Sequence, residues 1–442
     1  MTRKRKYRAI SVKNVNLNSV EELADGPVTI GLDVSKDEIF AVVRDGTGEF
    51  LRPWKAKQPT ELRALVELFQ KLSEVRPLVI GLESTGTYGD AVRQAMTDIG
   101  LDIQRVSGKA KSDYEEIFDG VPSAHDGKDA AIVAELVAIG KSRPWPYGAP
   151  SEVESQMKGW VDWVDAQQDV YQTWLGRLEA QLARHWPEAT KILNLTSVTL
   201  MRILAHYGGP SNVAEDPEAA QQLQHWGGHF LAKAKVQALC RSAQTTVGVR
   251  MTEPEQLQLQ RYAQQALAAL REINKAKNEL QKLCESDERL QTLCEMVGPA
   301  TACVLWVSLG DPKNYHCAEA YRKAMGLNLK ERSSGKHKGK LKITKRGSSQ
   351  ARRWLYFVAL RLVQQPSVRG WYEKKKEKDG GMGGRAVVAI MRKLALAIWH
   401  VVVRGTSFDP RRLFPGRPLL QPVEPKVRHL GALPPNPRDL SP

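Results

Sequence analysis

The sequence predicts a layered α/β domain at the start of the chain, then long polar helices, then a basic and mainly helical region. Three observations carry this. Short β-branched runs alternate with a helical apolar period over residues 26–150. Apolar stripes in a Gln- and Glu-rich background run through residues 154–184 and 253–291. Lysine and arginine then crowd the stretch from Arg332 to Arg353.

The first strand is expected at Val28 to Asp33, and Ile39 to Val43 is a second after a sharp turn. A third runs from Phe50 to Trp54. From Thr60 the period changes: Leu62, Leu65, Val66, Phe69 and Leu72 mark one helical face, with Thr60 as the expected N-cap. Pro77 to Glu83 reads as a buried strand, Asp90 to Ile99 as a helix closed by Gly100, and Asp102 to Val106 as a short strand. His125 starts a further helix through Ile132, Val133, Leu136 and Val137.

Composition sets the partner class. Among 442 residues, 65 Lys and Arg face 49 Asp and Glu, a net charge of +16 that favours a polyanion. The length allows two or three domains. The five cysteines form no CxxC pair, so they are expected as free thiols in a reducing compartment rather than as zinc ligands. The basic start lacks an apolar h-region, so no signal peptide is expected, and no apolar run is expected to cross a bilayer.

Four carboxylates stand out. Asp33 and Glu83 end apolar strands, where open α/β sheets gather ligands. Asp126 and Asp129 are three apart, so they share a face of a helix's first turns. Each also has a plain structural reading, as a turn or helix cap or a dipole partner. Together they suit a hard divalent cation, which takes oxygen ligands and binds phosphate oxygens.

The stretches Gly31-Leu32-Asp33-Val34-Ser35-Lys36, Leu82-Glu83-Ser84-Thr85-Gly86-Thr87-Tyr88 and His125-Asp126-Gly127-Lys128-Asp129-Ala130 resemble the DEDD transposases, bridge-RNA-guided recombinases of bacterial insertion sequences. The resemblance implies an α/β RuvC-like (ribonuclease-H-type) domain whose four acids fall on Asp33, Glu83, Asp126 and Asp129. It implies Mg²⁺ as cofactor, with Mn²⁺ as substitute.

The middle of the chain reads as two long helices around a small helical insert. They suit an antiparallel coiled arm that dimerises, or an intramolecular bundle. The same family has a coiled-coil segment in this place. Within the insert, the tryptophans and histidines serve a core or RNA equally well. Leu290 to Gly310 reads as helix, glycine turn, helix, which is structural or phosphate-binding.

Ser333-Ser334-Gly335 sits in a lysine-rich loop, which on residue type alone is a solvated turn or an activated nucleophile beside cations. The resemblance places the family's nucleophilic serine on Ser334, with Ser333 one residue away. Lys336, Lys338, Lys340, Lys342, Lys345, Arg346, Arg352 and Arg353 are the expected nucleic-acid contacts. Trp371 and its basic neighbours suit base stacking or packing against a helix.

The expected organisation is therefore a basic, polar extension over 1–25, the RuvC-like domain over 26–150, the coiled-coil arm with its insert over 151–290, a serine transposase domain over 291–412, and a Pro-rich tail over 413–442. The resemblance implies an RNA-guided DNA recombinase that cuts and rejoins DNA through a phosphoserine, with metal assistance. Its partners would be guide (bridge) RNA, donor and target double-stranded DNA, and copies of itself, as a homodimer assembling to a tetramer. Its place would be the cytoplasm, at the nucleoid when bound to DNA, with no membrane. Two other readings stay open: a RuvC-like metal-dependent endonuclease without a serine nucleophile, and a non-catalytic nucleic-acid scaffold.

Overall fold

The computed structural model describes residues 8–16, 26–83, 86–120, 125–145, 151–331 and 341–415. The chain divides into two compact units, residues 1–150 and 151–442.

The first unit is a mixed α/β layer, as expected. Its seven strands are β1 (Ile10–Ser11), β2 (Val28–Val34), β3 (Glu38–Arg44), β4 (Trp54–Lys57), β5 (Leu78–Glu83), β6 (Asp102–Val106) and β7 (Arg143–Pro144). Their spatial order is β1-β4-β3-β2-β5-β6-β7. β2, β3 and β4 form an antiparallel meander, while β5 and β6 continue parallel to β2. A meander followed by parallel strands is the arrangement of ribonuclease-H-type domains.

Several local expectations shift. The extension expected to precede the sheet contributes to it, because Ile10 and Ser11 pair in parallel with Trp54 and Lys55. The third strand begins at Trp54, with only a single bridge from Phe50 to Arg44 ahead of it. Helix α1 (Leu62–Val75) is capped at Glu61 rather than Thr60. The Glu61 carboxylate is already committed, accepting from the Lys57 amide and pairing with Lys13.

Helix α2 (Asp90–Asp98) ends as expected before Gly100. Helix α3 (Gly108–Asp119), which the sequence did not announce, precedes helix α4 (Asp126–Ala138). α4 is buried along most of its length. It lies against the sheet over two glycines that are direct register partners, Gly31 and Gly81. A Cβ on Gly31 would stand 1.9 Å from the Ala130 carbonyl oxygen, and one on Gly81 2.4 Å from Val137 Cγ2. Only glycine allows that approach.

The second unit is helical. Two helices of 34 residues each, α5 (Glu152–His185) and α11 (Glu253–Ser286), pack side by side. Each is about 51 Å long at 1.5 Å per residue. Trp163 Nε1 donates to Glu272 and Gln181 Nε2 to Gln258, so they run antiparallel. Both open with a reciprocal capping box, Ser151 with Glu154 and Thr252 with Glu255. Val164, Tyr171, Leu175, Leu178 and Leu182 are all buried, as their spacing predicts.

The pair joins two cores. One holds the insert: α6 (Ala189–Ile192), α7 (Val198–Tyr207), α8 (Pro210–Glu215), α9 (Ala219–Gly227) and α10 (Lys233–Thr245). Trp186 is fully buried there and donates to Ser242 Oγ, so this tryptophan serves packing. The other core gathers α12 (Gln291–Val297), α13 (Pro299–Leu309), α14 (Ala318–Ala324), α15 (Ser349–Val363), α16 (Pro366–Lys378) and α17 (Gly383–Arg404). Trp371 packs edge-on against Phe414, which is fully buried beyond helix α18 (Pro410–Leu413). The first residues of the tail expected over 413–442 are thus docked, through Phe414.

α17 is long and apolar enough on average to cross a membrane, but Arg392 and Lys393 interrupt its apolar run and half of that window is buried inside the protein. Its mid-helix Arg392 and Lys393 donate to the carbonyls of Leu327 and Leu413. All five cysteines are free.

Candidate functional site

Strand alternation does the first work at the acid site. Residues two apart share a face, so Asp33 lies two past Gly31 and Glu83 two past Gly81. Because the glycines are register partners, the two acids end neighbouring strands on the same face. That face also receives the start of α4. There His125 is the N-cap, its Nδ1 accepting from the Lys128 amide, so Asp126 is the first helical residue and not the cap.

Between the two acids of α4, Lys128 points inward, is fully buried, and pairs with Asp119 at the end of α3 at 2.8 Å.

These elements converge on one ammonium. Lys111, on α3, lies 3.0 Å from Asp129, 3.2 Å from Glu83 and 3.7 Å from Asp33. The structure therefore brings together three of the four expected acids around a single positive charge. Asp126 is near enough for its charge to act on Asp33.

The electrostatics are strained. Burial pushes the Asp33 carboxyl up to about 6; Lys111 opposes this, while Asp129, Asp126 and Glu83 add to it. Burial works against the Lys111 ammonium, but its hydrogen bond to Asp129 and the charges of Asp33, Asp129 and Glu83 win, and its pKa rises. Asp129 Oδ1 is buried without a hydrogen-bond partner.

Among the described residues, no group of three or more His, Cys, Asp or Glu stands gathered closely enough to hold a metal ion as placed. The donor set nevertheless fits a hard cation: it is all carboxylate oxygen, one buried oxygen is unused, and the Lys111 ammonium stands where a cation would be held.

The second expected site lies in the other unit. Ser333, Ser334, Lys336, Lys338 and Lys340 fall outside the described residues. The ends of their loop are described: Leu329–Lys330 (β8) pairs antiparallel with Lys342–Ile343 (β9). Lys342, Lys345 and Arg346 are exposed there. Arg352 donates to the Met325 carbonyl at 2.9 Å, and Arg353 is held in ion pairs by Asp165 and Asp169. Two glycines weld the loop's base. A Cβ on Gly347 would stand 2.2 Å from Ala324 O, and one on Gly326 2.7 Å from Arg352 Nη1.

Sequence reasoning missed Lys111. The one available signal was Ser107 as an N-cap after the Asp102–Val106 strand, which would have opened a helix carrying Lys111 one turn in.

Comparison with known proteins adds an independent line. A transposase family of the DEDD, IS110 type matches residues 30–187, which include all four acids and Lys111. The family described as Transposase IS116/IS110/IS902 matches residues 288–373, which include Ser334. The chain is 27% identical over 173 residues to the transposase for insertion sequence element IS1328 of Yersinia enterocolitica, covering 36% of this chain and about half, 51%, of that protein.

It is 20% identical over 392 residues to the insertion element IS116 uncharacterized 44.8 kDa protein of Streptomyces clavuligerus, covering 87% of this chain and 96% of that one. T. thermophilus RuvC in complex with Holliday junction substrate aligns at 14% identity and a TM-score of 0.22, over 27% of this chain and 99% of that one. With both matched segments in place, the chain belongs to the IS110/IS116-type DEDD transposase family.

Proposed function

We propose that this chain is an insertion-sequence transposase whose phosphodiester chemistry is run by the acid cluster of its first unit. One observation carries the reading: Asp33, Glu83 and Asp129, from three separate elements, converge on one cation position. Acids gathered at such cost to Asp33 serve a purpose other than stability.

Asp33, Glu83 and Asp129 would hold Mg²⁺ or Mn²⁺, with Asp126 adding charge at the rim. A divalent ion there supplies charge neutralisation for phosphate oxygens and an acidified water. Glu83 and Asp129 fix the position from the sheet and the helix. Lys111 balances the charge of the cluster and would yield its place to the ion.

This geometry favours a reading in which acids and cation cut DNA without a serine. Ser334 as a nucleophile rests on the family resemblance and on the rigid base of its loop. In that mechanism the Ser334 oxygen attacks a DNA phosphorus, its proton passes to solvent, and a DNA hydroxyl leaves. A second DNA hydroxyl later displaces the serine. Guide RNA and assembly to a dimer or tetramer belong to the same proposal.

The experiment is a denaturing gel of wild type, Ser334→Ala and Ser333→Ala on labelled DNA with Mg²⁺. A covalent adduct that only Ser334→Ala loses supports the serine step. Cleavage that survives Ser334→Ala with no adduct supports the acid-only endonuclease. Binding without cleavage by wild type overturns both.

A further inference from the structure

Three arginines are tied to the turn that closes α14, and the charge of Arg322 reaches Arg392. Arg352, from α15, donates to the Met325 carbonyl at 2.9 Å and the Ser348 carbonyl at 3.4 Å. Arg392, from α17, donates to the Leu327 carbonyl at 3.0 Å. Arg322 is one helical turn earlier, and its own carbonyl accepts from the Leu327 amide. Its Nε is buried and has no hydrogen-bond partner. All three side chains are half-buried, and among the described residues none pairs with a carboxylate.

Like charges gathered under partial burial are costly, and a protein normally relieves them with an acid. Two other arginines of the same unit are relieved in that way: Arg353 has Asp165, and Arg369 has Glu373. The frame around the cluster is also built tightly. Gly326 and Gly347 cross with no room for a side chain. The Lys345 backbone is held in the left-handed region at φ 56°, its amide donating to Gly326 O at 3.0 Å. That is a strained conformation for lysine. The strain and the uncompensated charge fall on one spot, at the root of the loop bearing Ser334.

We propose that Arg322, Arg352 and Arg392 form an oxyanion site for one backbone phosphate of a nucleic acid. Arg352 and Arg392 each spend donors on backbone carbonyls, which fixes their guanidinium planes. Arg322 is the free fork that completes the site. Guanidinium suits this task because it presents parallel N–H donors to phosphate oxygens and stays charged. The inference rests on the transposase reading only for the identity of the phosphate, a nucleic-acid one. The site itself stands on the geometry.

The test uses the full chain with Arg322→Gln, and Arg322→Lys as the charge-keeping variant. Melting is followed in sodium phosphate against sodium chloride at equal ionic strength. Wild type should melt about 2 °C or more higher in phosphate. Arg322→Gln should lose that rise, and Arg322→Lys should keep part of it. In chloride, Arg322→Gln should melt no lower than wild type, because a repelling charge is gone. A lower melting point would mark Arg322 as structural and overturn the proposal, as would a phosphate response that survives in Arg322→Gln or is absent from wild type.

The second arm measures affinity for a 30-base-pair duplex and a single-stranded RNA against salt. On the duplex, one lost phosphate contact lowers the slope of log affinity on log salt by about 0.9, and on the single strand by about 0.7. If neither slope changes in Arg322→Gln, the site takes free phosphate only and the nucleic-acid assignment falls. Ser334→Ala keeps all three arginines, so failure of the serine adduct and failure of this site are scored separately.

Discussion

Gly31 and Ala130 are in direct contact through bare backbone: any Cβ on the strand residue would overlap the helix carbonyl, at 1.9 Å. This contact sets how far α4, with Asp126 and Asp129, stands from Asp33. Gly31→Ala must lift the helix or break the strand, and should destabilise the first unit by roughly 2–4 kcal/mol. Urea melts followed by circular dichroism would show it. Mn²⁺ binding by calorimetry should fall in parallel; a folded variant with unchanged Mn²⁺ affinity would refute the spacing argument.

Lys111 offers a direct probe of the cation position. Lys111→Met keeps bulk but removes the charge from among three carboxylates. In EDTA it should lower stability by about 2 kcal/mol, the cost of orphaning half-buried acids. Mg²⁺ or Mn²⁺ should restore more of the melting temperature in this variant than in wild type, since the metal takes the vacated place. Equal metal response in the two proteins would argue that the acids do not bind metal there.

Asp33 gives the site a pH signature. Its carboxyl is raised from 3.8 to about 6, so between those values the native state holds a proton that the unfolded chain has lost. Stability from this group is therefore full below about 4 and declines as pH rises to 6. Asp33→Asn removes that decline, and should be the more stable protein above pH 6 by about 1 kcal/mol once screening is allowed for. Melts of both proteins from pH 4 to 8 would show curves that coincide at the acid end and separate upward. Curves that stay parallel would refute the assignment.

The long helix pair is expected to be a stability element. Leu280 and Leu182 are fully buried, in the two different cores that the pair connects. Truncating either to alanine should cost about 2–5 kcal/mol. If the pair transmits order between the cores, each variant should still melt in one transition by fluorescence and circular dichroism. Two separated transitions would show that the cores unfold independently.

Much of the acid site was legible because burial writes a period into sequence. Asp33 and Glu83 stand at the ends of apolar runs, and α4 shows its helical repeat plainly. Lys111 was not legible because α3 buries none of its residues, so it lacks the apolar stripe that announces a helix. β1 was missed for a related reason: two residues cannot display alternation. The plain alternative for Asp126, a helix cap, does not hold, because a histidine ring nitrogen fills that role. The Arg322 cluster is invisible in sequence, since its members lie up to 70 positions apart and converge only through helix packing.

Lys128 has a consequence of its own. Lying between the two acids in sequence and fastened to Asp119, it works as a key in a slot, stopping α4 from rotating about its long axis. A turn of one residue, about 100°, would swing Asp129 away from Lys111 and carry a buried cation off its anion. The aim of Asp126 and Asp129 is thus guarded from the buried side of the helix. Charge reversal at Lys128 and Asp119 together, as Lys128→Asp with Asp119→Lys, should be tolerated better than either change alone.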